Sequence, residues 1–241
     1  MARVCVDSTF FSIDGSGNLT FKRTSVGLQQ MLLRSTVGTT TFKKADYPGL
    51  TRLRVRVIGG GGGGAGANAD TGESVARAGG GGGGYSESVL DAADLGATET
   101  ITIGAGGQGG TSNEAGEPGQ SSSFGGFVVA LGGGGSAASM PSGTSARTAS
   151  GGYAAGRGTG TIRLEGGNGG PAYAASAQTA VSGFGGTSGG GIGAGGQGMG
   201  SDQNGTNGSL YGGGGSGASS IGASRNGGDG ASGAVFIELY Y

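Results

Sequence analysis

Glycine comes in blocks along this chain. Residues 59–64 and 79–84 are unbroken glycine, 132–135 and 212–215 are shorter blocks of the same kind, and 66 of the 241 residues are glycine. A glycine block has two opposed fates. It is a flexible tether, or it is a packed polyglycine II helix, left-handed, with three residues per turn and about 3.1 Å per residue. Ordering a glycine costs roughly 0.5–1 kcal/mol more than ordering an alanine, while whole domains are stable by only about 5–15 kcal/mol. Residues without side chains offer no hydrophobic core, so only their backbone hydrogen bonds can offset that cost.

Two features favour order. The blocks are bounded by aliphatic, strand-like segments that a tether does not need, and charged residues make up only 12% of the chain, low for a solvated linker. Collagen is excluded, since glycine keeps no strict every-third-residue period and there are only 4 prolines. The expected fold is all-β with polyglycine II. It combines a short-stranded antiparallel β framework, a bundle of packed polyglycine II helices and irregular tip loops, with little or no α-helix.

Strand signals lie at 28–35, 39–43, 85–90, 98–103, 127–131, weakly 161–165, and 234–241. The clearest is 51–58, where Leu53, Val55 and Val57 alternate with Arg52, Arg54 and Arg56. That pattern reads as a half-buried strand with a solvated arginine face. Residues 1–26 read as a hairpin around the turn cluster Asp14-Gly15-Ser16-Gly17-Asn18. The expected division is therefore an attachment hairpin, 1–26, and a glycine-rich domain, 27–241, whose framework is 28–58, 85–103, 127–131 and 234–241.

The order of strands and glycine runs carries topology. Strand 51–58 enters 59–64 directly, and 79–84 enters strand 85–90 directly, so 65–78 must turn round at an end remote from the strands. The same parity sends 98–103 out and 120–131 back, with 111–119 at the remote end. Six residues of such a run reach about 19 Å. A β base, a glycine shaft and a remote tip follow.

Chemistry is scarce. There is no histidine, which removes the commonest general base and metal ligand, and no tryptophan. The single cysteine, Cys5, excludes an internal disulfide framework. Net charge is −1, leaving no electrostatic footprint for nucleic acid or an anionic membrane. No stretch reaches the length of a membrane helix, and no basic start precedes an apolar run to predict a leader. The segment 104–109 satisfies GxGxxG after a strand, but Thr-Ser-Asn-Glu-Ala-Gly-Glu-Pro-Gly follows it where a dinucleotide site needs a helix. Gly227-Gly228-Asp229-Gly230 lacks the aspartate ladder of a calcium repeat, because Ser232 stands where one belongs. Asn204-Gly205-Thr206 and Asn207-Gly208-Ser209 match glycosylation sequons but read as turn residues. No cofactor, no metal and no enzymatic activity are expected.

An ordered motif series carries a resemblance. It runs Leu53-Arg54-Val55-Arg56-Val57, a six-glycine block, Tyr85-Ser86-Glu87, Thr100-Ile101-Thr102-Ile103-Gly104-Ala105-Gly106-Gly107, Ser121-Ser122-Ser123-Phe124-Gly125, and finally Gly228-Asp229-Gly230 with Gly233-Ala234-Val235-Phe236-Ile237-Glu238. Across about 39–241 this resembles the glycine-rich minor tail or tail-fibre proteins of bacteriophages. The opening Ile13-Asp14-Gly15-Ser16-Gly17-Asn18-Leu19 is similar to short phage-fibre connector hairpins. The resemblance implies a virion component at the tail tip or distal fibre, with other tail proteins and a host cell-surface receptor as partners and polyglycine II segments ending in receptor-contacting loops.

Binding residues are expected at the tip, where exposed aromatics with Asn, Gln and Ser give amphipathic contacts. The candidates are Asn68, Asp70 and Arg77 in 65–78, Met140, Arg147 and Tyr153 in 136–153, Tyr173, Gln178 and Phe184 in 171–184, and Asp202, Asn204 and Tyr211 in 201–211. Each aromatic could instead be an apolar plug on the end of the bundle. Assembly, with a trimer as the expected homo-oligomer, is assigned to Phe10, Phe11, Ile13, Leu19 and Phe21, which a two-stranded unit cannot bury alone. Two other readings remain open: a purely architectural tail subunit, and an ice-binding protein, which would need small residues repeated at every third position over several runs.

Overall fold

The computed structural model describes residues 11–13, 19–21 and 27–241, the first two segments by their backbone alone. In chain order the strands are β1 (Phe11–Ile13), β2 (Leu19–Phe21), β3 (Leu28–Arg34), β4 (Gly38–Lys43), β5 (Arg52–Ile58), β6 (Val75–Ala76), β7 (Tyr85–Asp91) and β8 (Thr98–Ile103). They continue with β9 (Ser122–Phe124), β10 (Val128–Ala130), β11 (Arg147–Ala149), β12 (Ile162–Leu164), β13 (Ala172–Ser176), β14 (Thr179–Val181), β15 (Ser219–Ser220) and β16 (Ala234–Tyr240). The described residues hold no α-helix, only 3₁₀ turns at Lys44–Asp46 and Gly189–Gly191. All strand pairings are antiparallel. The molecule is all-β.

Two sheets make the base. One has the order β12-β7-β5-β16-β3 and the other β10-β9-β8-β4. Alternation explains their packing. Leu53, Val55 and Val57 of β5, with Val235, Ile237 and Leu239 of β16, face Phe42, Ile101, Ile103, Phe124 and Val128 across a dry core. The C-terminal β16 lies between β5 and β3 in register Val57↔Val235 and Leu33↔Phe236, so the last strand closes the sheet that the early strands begin.

The glycine runs rise from this base as a close-packed array. Successive N–H groups of run 59–64 bond in rotation to three neighbours: Gly59 and Gly62 donate to Gly84 and Gly81, Gly60 and Gly63 to Gln120 and Glu117, Gly61 and Gly64 to Ala231 and Gly228. Its carbonyls rotate likewise, accepting from Gly133, Gly107 and Gly215 at Gly60, Gly61 and Gly62, then from Ser136 and Gly110 at Gly63 and Gly64. A period of three, directed at six surrounding chains, is the arrangement that side-chain-free extended helices permit. Runs 79–84 and 212–218 are enclosed in the same way. These three runs are buried throughout.

The other runs form a closed coat, each bonded to the next. In circuit the coat is 131–136, 151–156, 166–170, 182–189, 193–199, 204–209, 225–233, 104–110 and 115–121, and the last returns to the first through Gly116 N–Ser136 O and Gly119 N–Gly133 O. Their directions follow the expected parity. Runs 59–64 and 104–110 leave the base and turn at 65–78 and 111–114, and 79–84 and 115–121 return. Residues 171–181 and 201–203 turn at the remote end, but 210–211 turns at the base. This separates Tyr211 from the tip, and its ring packs edge-on against Phe236 of the base sheet.

The remote end is more ordered than loops of irregular conformation would be. β11-β13-β14 form a three-stranded sheet and β15-β6 a two-stranded one. Together they enclose a second core made of Ala67, Ala69, Val75, Ala76, Ala78, Met140, Ala149, Ala172, Ala174, Ala180 and Ala218. Alanine dominates here because the chains enter at glycine-run spacing, about that of neighbouring strands, near 4.8 Å. Methyl groups fill most of that gap, with Val75 and Met140 as its two larger side chains.

At most glycines of the enclosed runs the same spacing leaves no room for a side chain. A Cβ at Gly61 would overlap the carbonyl of Gly213, and one at Gly82 the carbonyl of Thr187. Gly61→Val and Gly82→Val are each expected to abolish soluble folded protein, whereas Gly126→Val, at a position with open space, should fold. Comparing soluble yield and thermal melting of the three variants checks this, and a folded Gly61→Val would contradict the enclosed lattice.

Candidate functional site

Two surfaces of the molecule differ from the rest. The first is the outer face of the five-stranded base sheet, where the expected solvated arginine stripe is instead an ion-pair network. Arg54 Nε donates to Glu87 Oε1 at 2.7 Å, Arg56 Nη2 donates to Glu238 Oε1 at 2.7 Å, and Arg54 lies 3.6 Å from the second Glu238 oxygen. Register places them: Arg56 pairs with Glu87 on one side, and Arg54 with Glu238 on the other. Tyr85 and Tyr240 donate their hydroxyls to Glu87 and Glu238, and Arg56 sits 5.3 Å above the Phe236 ring. The arginines thus hold two carboxylates that are each only 8% exposed. Shallow hollows of ≈ 240 Å³ and ≈ 290 Å³ flank Val89 on this face, the first lined by Arg52, Arg54 and Tyr240 and the second by Thr161 and Ile162.

The network sets protonation. The bond from Arg54 holds the Glu87 carboxyl below the usual carboxylate range against the opposing pull of burial, with Tyr85 helping. Burial first, then the bond to Glu87, pushes the Tyr85 hydroxyl well up, so it stays a donor. A depressed folded value means that Glu87 stabilises the fold above its unfolded pKa, near 4.3. That contribution is lost as pH falls through the folded value. The melting temperature should therefore decline below about pH 4, and Glu87→Gln should flatten that decline while lowering stability at pH 7. A pH series of thermal melts measures both.

The second surface is on the flank formed by runs 151–156, 166–170 and 182–189, near the remote end. Exposed positions there recur every third residue, as at Phe184 and Thr187, because successive groups of a run point to different sides. Tyr153 is 84% exposed, Phe184 57%, and Tyr173 and Val181 47% each. Neighbouring runs bring them together. Gly169 N bonds to Gly152 O beside Tyr153, the Phe184 ring lies over Gly170, and the register Thr148↔Tyr173↔Val181 lines up one outward row of the tip sheet. Asn168 Oδ1 accepts from Ala154 N at 2.8 Å, fixing its amide between the rows.

The opposite flank is polar, and its side chains serve the backbone. Asn204 Oδ1 accepts from Asn226 N, Asn207 Oδ1 from Asp229 N, and Asp229 Oδ1 from Gly109 N. Each caps an outward N–H of the adjoining run that no further run covers. The sequon-like asparagines, read from the sequence as turn residues, are therefore lattice caps, and the three-residue spacing of Asn204 with Asn207 and of Asn226 with Asp229 is the signal that could have marked them.

The other expected tip residues divide by burial. Arg77 is only 3% exposed, and so is Met140. Arg77 clamps three loops, with Nε donating to Gly66 O, Nη1 to Met140 O and Nη2 to Asn113 Oδ1. These acceptors are neutral, and burial lowers the affinity of its guanidinium for the proton. Neither residue is on the surface, which corrects their placement among exposed contacts: the alanine core at the tip needs Met140 as filler and Arg77 as a crosslink. Arg147 is turned inward to Ser74 O and Gly143 O. Asp202 pairs with Arg225 at 2.7 Å, which holds its carboxyl below the usual range. Asn68 exchanges bonds with Asn113, and Asp70 and Gln178 are exposed. Of the assembly residues, Phe10 lies outside the described residues. Phe11, Ile13, Leu19 and Phe21 are in β1 and β2, which pair with Phe11 opposite Phe21 and Ile13 opposite Leu19. Arg77→Ala would leave buried carbonyls unpaired at about 1–3 kcal/mol each. The variant is expected to lower the melting temperature by several degrees in differential scanning calorimetry, while Gln178→Ala leaves it unchanged.

A β sandwich bearing a glycine bundle, with an aromatic flank and an amide flank, defines an all-β, glycine-rich domain. A family model described as a glycine-rich domain matches residues 35–240, and the chain belongs to that family. No curated protein matches the sequence.

Proposed function

We propose that this chain is a structural virion protein of a phage tail tip or fibre that presents a receptor-binding surface to the host cell and carries out no chemistry. The observation that carries the reading is the cluster of exposed aromatics near the end of the bundle remote from the base. Contiguous apolar patches rimmed by polar residues mark interaction sites. Here the rings stand on backbone that is hydrogen-bonded on several sides, so contact with a receptor costs little ordering entropy. The motif series supports the phage context, and the glycine-rich domain over 35–240 agrees with the part of the chain that carries it. On this reading the segment 1–26, which carries the hairpin β1–β2, joins other tail proteins in a homo-oligomer.

Nothing on the flanks favours ice binding. Their outward positions carry Gln197, Asn204, Asn226, Asp229, Phe184 and Thr187, which is no array of one small residue.

Labelled protein is expected to bind cells of a susceptible bacterium. The combined variant Tyr153→Ser, Tyr173→Ser and Phe184→Ser should lower that binding by at least about tenfold, as loss of aromatic anchors does, with an unchanged melting temperature. Flow cytometry reads the binding. Undiminished binding by the variant, or none by the native chain on any cell that the parent particle adsorbs to, would favour the purely architectural reading.

A further inference from the structure

We infer that the aromatic flank is a saccharide site, and that its ligand class is uncharged cell-surface glycan. The inference rests on the display reading above and assigns its ligand chemistry. Tyr153, Tyr173 and Phe184 have no stacked ring and no cation over them among the described residues. They expose flat apolar faces beside polar groups. The Asn168 amide accepts from Ala154 through its oxygen, which leaves its NH₂ to donate outward. Thr148 shares the outward row of Tyr173, and Gln178 is exposed in the turn that follows.

Geometry and charge select the ligand. Runs 151–156 and 182–189 are separated by run 166–170 alone, so Tyr153 and Phe184 stand on rows about 10 Å apart at twice the sheet spacing. A ligand that meets both must be extended and must repeat a flat apolar face beside hydroxyl-rich edges, as linked pyranose rings do. The ring C–H faces lie against the aromatic π-systems, and the hydroxyls bond to amide and hydroxyl groups. No unpaired ionised side chain is on this patch. Arg147 is turned inward to Ser74 and Gly143, and Arg157 is paired with Glu165 toward the base. An anionic glycan or nucleic acid finds no counter-charge. A peptide adding as a strand finds only β11 and β14 at the tip-sheet edges, each three residues long. Hollows that suit a compact apolar ligand flank Val89 at the base.

The test is retention of the native chain on an array of immobilised glycans. The array holds uncharged cellohexaose, maltohexaose, mannohexaose and galactan, with hyaluronan and heparin as anionic comparators. At least one uncharged glycan is expected to retain the protein. Tyr153→Ala and Phe184→Ala should each weaken retention about tenfold, in keeping with central aromatic anchors, at unchanged melting temperature. Asn207→Ala, on the opposite flank, should not weaken it. Retention by hyaluronan or heparin alone, by no glycan, or equally by Tyr153→Ala and Phe184→Ala would overturn the assignment. Periodate treatment of the cells separates this from the display reading. Cell binding that needs the aromatics yet survives periodate keeps display and sinks the saccharide, whereas loss of binding on periodate treatment supports both.

Discussion

Every part of this molecule depends on backbone hydrogen bonds radiating from three enclosed glycine runs. Runs 59–64, 79–84 and 212–218 each bond to six surrounding chains in threefold rotation. A net hydrogen bond contributes about 0.5–1.5 kcal/mol, similar to the extra entropy that ordering a glycine costs. The lattice is therefore stable only where its donors and acceptors are filled, which explains the closed coat. It also explains the Asn and Asp caps where the coat faces water.

The base and the tip act as anchors for that lattice. At the base, strand pairing passes without a break into glycine pairing, since Ile58 is opposite Tyr85 and Gly59 then bonds to Gly84. The sandwich core supplies the hydrophobic burial that glycine cannot. At the tip the chains must reverse at the same close spacing, and alanines fill the space between them. Large side chains are pushed to the coat's outward positions, as at Phe184 and Thr187.

Much of the framework was legible in the sequence. The alternation in 51–58 and 234–241 marks core strands because a two-residue period is enforced by burial on one face. The junctions at 58–59 and 84–85 fix the direction of the runs. The tip was less legible. Strands β6, β13, β14 and β15 are short and carry little alternation of apolar and polar residues, and β6 and β15 pair across most of the chain, as Val75 with Ser220. Arg77 and Met140 read as surface residues because a cationic and a long flexible side chain ordinarily avoid a glycine-rich interior, and only the loop carbonyls that meet at Arg77 reveal the reason for its burial. Tyr153, Tyr173 and Phe184 were visible as candidates. Their placement on adjoining runs was not, since the circuit of the coat is set by long-range pairing.

The order in which the enclosed runs are made has a consequence for how the chain acquires its structure. Run 59–64 is synthesised early, but two of its six neighbours, 212–218 and 225–233, belong to the last thirty residues. No short stretch of the chain contains a complete cell of the lattice. Contacts this distant in sequence make for slow, all-or-none assembly. Until the final strand docks between β3 and β5, both the lattice and the sheet that carries it stay incomplete.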